Sequence, residues 1–335
     1  MTTLGVQFER EIYDQPAVWR RLAASGRAQQ LAASLDDATI FLGSGSSLFA
    51  AQLGALALRR GRLGAHALAA TEARIDHRAY QGRTVVAISQ SGRSTDLFEA
   101  VEALAPRLLV ALTNTASSPL GERADIVVDI EAGTERAVPA SKSVTATVAL
   151  VLWAASLLRS DATRDAAVLT QTADAVENWL HSPLDELIGA AQRIARRASV
   201  VVLGSGYGLP IAHEMALKLK EGAYLHAEGY AAGEFRHGSV AMVDASFAAI
   251  GIVDEAALPV VARPLREVRE SEALCYALGS TAIDDIPLLG PVVEPPFNTL
   301  AWLVAAQLIA LHAGRARHID SDSPRGLSKA LITEA

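Results

Sequence analysis

The sequence predicts an α/β protein in which one unit, a parallel sheet with crossover helices, is built twice. Three observations point there. The 335 residues are 50% hydrophobic but only 5% aromatic, which suits helices packed on short buried strands better than a β-sandwich. Short apolar runs alternate with helical patterns, as parallel strands joined by crossover helices do. The chain also repeats itself: IFLGSGSSLFAAQLGALAL at 40–58 matches VVLGSGYGLPIAHEMALKL at 201–219. Each copy reads as an apolar strand, the turn LGSG and a helix, so one fold is expected to occur twice.

The elements follow in order. A helical stretch at about 6–34 precedes the first strand and its LGSG turn. TVVAIS, QSGRS and TDLFEAVEALA then give strand, turn and helix, and LLVALTN and DIVVDI supply further strands. The most apolar run, VTATVALVLWAASLL at 144–158, is shorter than the ~20 residues that span a bilayer and is expected to be a buried helix. In the second copy FAAIGIV and ALCYAL read as strands, with a helix around 259–271. HSPLDE at 181–186, with its Pro after a long helical stretch, is the boundary signal. It divides a first domain at 1–180, with its N-terminal helix, from a second at 187–335 that carries a C-terminal tail.

Composition narrows the function classes. The net charge is −7 with a pI near 5.7 and no Lys/Arg block, which argues against a nucleic-acid surface; an anionic ligand needs local donors. The single Cys275 excludes an internal disulfide or a multi-cysteine metal site, and a buried packing role is expected for it. The N-terminus, MTTLGVQFEREIYDQP, carries acidic residues and no apolar core of signal-peptide type. A cytoplasmic protein without a membrane partner is therefore expected. LGSGSSL invites a dinucleotide reading, but Leu48 and Leu209 stand where G-x-G-x-x-G needs its third glycine, and no acidic ribose-binding residue follows. No cofactor and no metal are expected.

Two stretches carry chemistry. ISQSGRSTDL at 88–97 follows an apolar strand and opens a helix. Ser89, Gln90, Ser91, Ser94 and Thr95 supply polar donors, Gly92 permits a tight turn, and the helix start adds free N–H groups and a positive dipole end. Together they describe a phosphate cradle without lysine. Ser46 and Ser47, after the first LGSG, also fall at the carboxyl end of a strand, where open α/β sheets bind ligands. The second stretch is LKLKEGAYLHAEGYAAGEFRHG at 217–238. The only lysines are Lys142, Lys218, Lys220 and Lys329 in a chain that otherwise writes Arg. Lys, unlike Arg, can lose its proton and attack a carbonyl. Glu214, Lys218 and Glu221 fall at i, i+4 and i+7, on one helix face. That places a carboxylate beside an amine, as proton transfer requires. A solvated salt-bridge stripe is the plainer reading of this spacing, but the Ala- and Leu-rich helix around it reads as packed against a sheet. His237 lies in GEFRHG, and histidine is the side-chain type suited to proton transfer near neutral pH.

Five ordered motifs now stand out: EIYDQP at 11–16, SQSGRS at 89–94, AGTERAVPASKS at 132–143, ALKLKEGAYLHAEGYAAGEFRHG at 216–238 and DSDSPRGLSK at 320–329. In them the chain resembles the sugar isomerase (SIS) family with two tandem SIS domains. It looks like the isomerase part of glucosamine-6-phosphate synthase and the stand-alone SIS-type glucosamine-6-phosphate deaminases. The resemblance implies two doubly wound, flavodoxin-like three-layer sandwiches. It implies that Ser47, Ser89, Gln90, Ser91 and Ser94 bind the sugar phosphate, with Ser46 and Ser141 as further substrate contacts. By the same resemblance Glu221 moves a proton between C1 and C2, Lys218 assists at the C1 oxygen, and Lys329 forms an imine with the open-chain ketose. His237 would open the sugar ring, reaching the partner subunit's site in a homodimer.

The departures matter as well. The synthase begins with a glutaminase domain and an N-terminal cysteine nucleophile, whereas this sequence begins Met1-Thr2, so it is not expected to draw ammonia from glutamine by that route. Arg93 stands where the synthase motif usually has Glu, and Ala140 replaces a serine that helps bind the sugar. The expectation is a phosphosugar aldose–ketose isomerase and deaminase that converts glucosamine 6-phosphate to fructose 6-phosphate and ammonia. The alternatives are a deglycase of phosphorylated sugar–amine adducts and a non-catalytic sugar-phosphate sensor.

Overall fold

The computed structural model describes residues 4–159 and 162–329. The chain divides into two compact units, each assembled from several stretches. The first comprises Gln15–Glu135, Lys142–Ala173 and the described part of Leu327–Ala335. The second comprises the described part of Met1–Asp14, Arg136–Ser141 and Asp174–Gly326.

The N-terminal stretch forms α1 (Val6–Tyr13), α2 (Gln15–Ala24) and α3 (Arg27–Ala32) rather than one helix. Pro16 lacks an N–H and fits only the first turn of a helix, so a new helix begins there. Ser25 ends that helix: its hydroxyl donates to the Leu22 carbonyl at 2.9 Å and its oxygen accepts the Arg27 N–H at 3.3 Å.

Chain order in the first unit continues with β1 (Ile40–Gly43), α4 (Ser46–Arg60), β2 (His66–Ala69), α5 (Ala70–Ile75), β3 (Thr84–Ile88), α6 (Thr95–Leu104), β4 (Leu108–Thr113), α7 (Pro119–Arg123), β5 (Ile126–Asp129) and α8 (Lys142–Leu157). The sheet is parallel throughout, in the order β2-β1-β3-β4-β5. Side chains alternate between faces with a period of two. Ile40, Leu42, Val85, Ala87, Leu109 and Ala111 therefore share one face, packed with Ala70 and Ala73 of α5 and Leu97, Ala100 and Leu104 of α6. On the other face a Cβ added at Gly54 would lie 3.2 Å from Phe41 and Val151, so α4, α8 and β1 meet closely. From Lys142 to Ala155 helix α8 is buried on all sides, as a helix apolar all round must be.

After α9 (Ala162–Leu180), the second unit runs through α10 (Asp185–Ile194), β6 (Ser199–Gly204), α11 (Gly208–Ala223), β7 (His226–Ala231), α12 (Ala232–Phe235), β8 (Phe247–Val253), α13 (Leu258–Glu270), β9 (Leu274–Gly279), β10 (Leu288–Leu289) and α14 (Asn298–Ala316). Its parallel sheet reads β7-β6-β8-β9-β10, the same winding as the first. Val201, Leu203, Ala249, Val253, Cys275 and Ala277 pack with Val261 and Leu265 of α13 on one face. Helix α11 packs against β6, β7 and α14. Cys275 is a packing residue: burial pushes its thiol up to about 11, far from the thiolate that reactivity needs.

The C-terminal DSDSPRG motif ties this unit together. Asp322 accepts the N–H groups of Gln7 and Phe8 at 2.9 and 2.7 Å and so caps α1. Ser321 donates to the Gly222 carbonyl at 2.9 Å, and the Tyr224 hydroxyl accepts the Arg325 N–H at 2.6 Å. These last two bonds hold the carboxyl end of α11, beside Glu221. Among the described residues no helix is long and apolar enough to cross a membrane.

Candidate active site

The repeated LGSG turn has a steric origin. A Cβ at Gly43 would lie 2.7 Å from the Ser47 carbonyl carbon, and one at Gly204 would lie 2.2 Å from the Gly208 carbonyl oxygen. Each helix therefore starts almost against its strand, and only glycine fits. Gly45 and Gly206 turn the chain with φ of 55° and 56°, a region glycine enters without the Cβ penalty.

In the first unit this turn sets Ser46 and Ser47, both half-buried, in the first turn of α4. Strand β3 lies beside β1, and β1 is followed by β2 on its other side, so the winding reverses between them. That switch point is where open α/β sheets bind ligands. Beyond β3 the chain turns through Gly92, with φ of 62° and the Ser118 side chain filling the space a Cβ would need. Ser89 is 7% exposed, and its oxygen accepts the Gly92 N–H at 3.1 Å. The Ser91 oxygen accepts the Arg93 N–H at 3.3 Å. Each hydroxyl thereby spends a lone pair on the loop, and such a bond leaves its proton uncommitted. Gln90 is fixed through its carbonyl, which accepts the Asn114 N–H at 3.2 Å. Ser94 is the N-cap of α6, and its side chain makes no capping bond. The five expected phosphate residues and Ser46 thus lie on the loops following two neighbouring strands. In the second unit the loop after β8 reads Asp254-Glu255, with Asp254 accepting the Ala257 N–H at 2.7 Å. Carboxylates there oppose an anion, so of the two copies only the first presents the hydroxyl-rich loop expected of a phosphate cradle.

The second unit holds the Glu214–Lys218–Glu221 cluster. Lys218 is 1% exposed on α11. Its Nζ donates to Glu221 Oε2 at 2.6 Å and lies 3.5 Å from Oε1 of Glu214, which is itself 1% exposed. The side chain of Glu221 is 19% exposed, so it is the member of the triad that reaches outward. The expected one-face spacing holds, and the cluster is buried rather than solvated. A buried amine between two carboxylates is held by charge as well as by packing. His237 follows α12, its backbone N–H bonded to the Glu234 carbonyl at 2.9 Å, and its side chain is exposed. Ser141 is buried in this unit. A cavity of about 350 Å³ lined by Arg266, Arg269, Asp284 and Asp285 lies in this unit. Both guanidiniums there already pair with the aspartates, so it offers an anion little.

Lys329, in the first unit, brings a residue that the sequence reading left inside a motif. Its Nζ donates to Glu135 Oε2 at 2.8 Å, and the Glu135 side chain is fully buried. Glu135 also accepts the Ser143 N–H at 3.0 Å and the Ser143 hydroxyl at 2.6 Å. Burial alone would raise its pKa. The Lys329 charge and these hydrogen bonds outweigh it and hold the carboxyl below its usual value.

Comparison with known proteins places this architecture. The chain is 32% identical over 347 residues to the isomerizing glutamine–fructose-6-phosphate aminotransferase of Pyrobaculum aerophilum, covering 97% of this chain and 57% of that one. It spans about half the length of the curated relatives it matches. Among solved structures, the C-terminal domain of glucosamine-fructose-6-phosphate aminotransferase from Francisella tularensis superposes with a TM-score of 0.82 at 24% identity, covering 95% of this chain and 98% of that one. Glucosamine-6-phosphate deaminase from Thermotoga maritima does so with 0.77 at 20% identity, covering 97% and 100%; at these identities the likeness is one of fold. The SIS domain model matches residues 37–157 and 193–287, one segment for each sheet, and the chain belongs to the SIS domain family.

Proposed function

We propose that the protein is a phosphosugar aldose–ketose isomerase that acts on an amino sugar, converting glucosamine 6-phosphate and water to fructose 6-phosphate and ammonia. The observation that carries this reading is the buried Glu214–Lys218–Glu221 triad, a carboxylate in contact with an amine of the kind a proton shift between adjacent carbons needs. The aminotransferase and deaminase relatives act on sugars of this class by their names, which supports the same reading.

In this reading the donors of Ser47, Ser89, Gln90, Ser91 and Ser94 hold the phosphate, helped by the N-terminus of α6. His237 protonates the ring oxygen and opens the sugar, and in a homodimer it serves the partner subunit's site. Glu221 then takes the proton from C2 while Lys218 donates to the C1 oxygen. Glu221 returns its proton to C1, leaving a ketimine at C2 that water hydrolyses to the ketose and ammonia. Ser46 and Ser141 are further substrate contacts, and Lys329 engages the open-chain ketose. The chemistry needs no metal and no nucleotide.

A deglycase acting on phosphorylated sugar–amine adducts would use the same proton transfer. Ala140, where the synthase motif carries a serine, favours that second reading by removing a sugar contact. Purified protein incubated with glucosamine 6-phosphate decides between them. Equal release of ammonia and fructose 6-phosphate, lost in Glu221→Gln, supports the deaminase; release only from an adduct supports the deglycase.

A further inference from the structure

The pairing of Lys329 with Glu135 is unusual in its asymmetry. The lysine is 27% exposed while the carboxylate is wholly buried, so the amine can meet a ligand and the carboxylate cannot. The carboxylate is also anchored independently of the lysine, by the Ser143 N–H and hydroxyl in the first turn of α8. A lysine near the end of the chain is thereby tied to a fixed point 194 residues earlier.

We propose that Glu135 is the positioning residue and counter-ion of Lys329, and that it carries the lysine's proton during imine formation with the ketose. The proposal rests on the reading of Lys329 given above. A buried carboxylate stripped of the Lys329 charge is costly, so the site favours every state in which Lys329 nitrogen stays positive. Imine chemistry satisfies that condition at both ends. The Lys329 ammonium passes one proton to Glu135, and the freed nitrogen pair forms a bond to the C2 carbonyl carbon. The C=O π pair takes a proton from that nitrogen, giving a neutral carbinolamine. Glu135 returns its proton to the carbinolamine nitrogen, which hands one on to the hydroxyl; the hydroxyl leaves as water, and the nitrogen pair forms the C=N bond. One ammonium and one ketone become one iminium and one water, and Glu135 ends ionised beside a cation as it began. A glutamine at 135 keeps the shape and can neither take the proton nor balance the charge.

The test is borohydride trapping with fructose 6-phosphate at pH 7.5, read by peptide mass spectrometry at Lys329. Wild-type protein should trap the sugar there, Glu135→Gln should lower the trapped fraction about 10-fold or more, and Glu135→Asp should recover most of it. In turnover, Glu135→Gln combined with Lys329→Ala should be no worse than Lys329→Ala alone. Trapping at Lys329 that Glu135→Gln leaves unchanged overturns the role of Glu135 and spares that of Lys329. Trapping at another lysine, or at none, removes the reading of Lys329 and the role of Glu135 with it. Should the glutamine variant fail to fold, Ser143→Ala loosens the same carboxylate while keeping its charge. A trapped fraction reduced about 3-fold supports the proposal, and an unchanged one overturns it.

Discussion

Replacing Lys218 with methionine tests the electrostatics of the α11 triad. The side chain is 1% exposed and so is Glu214, while Glu221 keeps 19%, so water screens little of what the cation does. At 2.6 and 3.5 Å the ammonium neutralises two carboxylates that methionine would leave facing one another. Breaking a buried ion pair by removing one partner costs about 3–5 kcal/mol, because the remaining charge stays buried. Methionine fills a similar volume, so little of the loss is cavity formation. For a unit of this size 1 kcal/mol corresponds to about 2–4 °C in Tm, so the second unit should melt roughly 6–20 °C lower by calorimetry. Adding Glu214→Gln removes one of the two carboxylate charges that Lys218 balanced and should recover part of the loss. A Lys218→Met protein that melts within about 1 °C of wild type, or a double variant less stable than the single one, refutes the reasoning.

Other consequences follow from the same geometry. Glu135 has a depressed pKa in the folded protein, so its contribution is present above the unfolded value and is lost as pH falls through the folded one. Wild-type protein should lose stability in melts taken between pH 5 and 3, and Glu135→Gln should lose less over that window, although it starts lower at pH 7. Under the proposed function Ser89→Ala or Ser91→Ala removes a hydrogen bond to the sugar phosphate, worth about 1.5–3 kcal/mol; calorimetric titration with fructose 6-phosphate should show a Kd raised about 10- to 150-fold. Gly204→Ala forces a Cβ against the Gly208 carbonyl and should cost about 2 kcal/mol or more in urea unfolding, with the start of α11 displaced.

Much of this was legible because helices and strands write local periods. The Glu214–Lys218–Glu221 spacing needs only 3.6 residues per turn, and the LGSG repeat announced the duplication, while the close approach of each helix to its strand needed the structure. The strands that escaped the reading are edges: β2 is HALA and β7 is HAEGYA, half-wet strands whose polar residues break the apolar pattern, and β10 has two residues. The three-helix entry was hidden because Asp14 and Ser25 interrupt a composition that is helical throughout. Glu135 was missed for a different reason. Its partners lie eight and 194 residues away, with no periodicity linking them, and only the fold brings them together. The signal available was a lone acidic residue between Gly133 and Lys142 in a stretch that is neither helix nor strand.

The central claim is that Glu221 moves a proton between neighbouring sugar carbons, and solvent exchange reads it without regard to which adduct is cleaved. Fructose 6-phosphate incubated with the protein in D₂O and followed by proton NMR should lose signal from one C1 hydrogen. The exchange should vanish in Glu221→Gln while the sugar phosphate still raises the Tm of that variant. Exchange at the wild-type rate in Glu221→Gln, or none in wild-type protein that binds the sugar, would contradict the account.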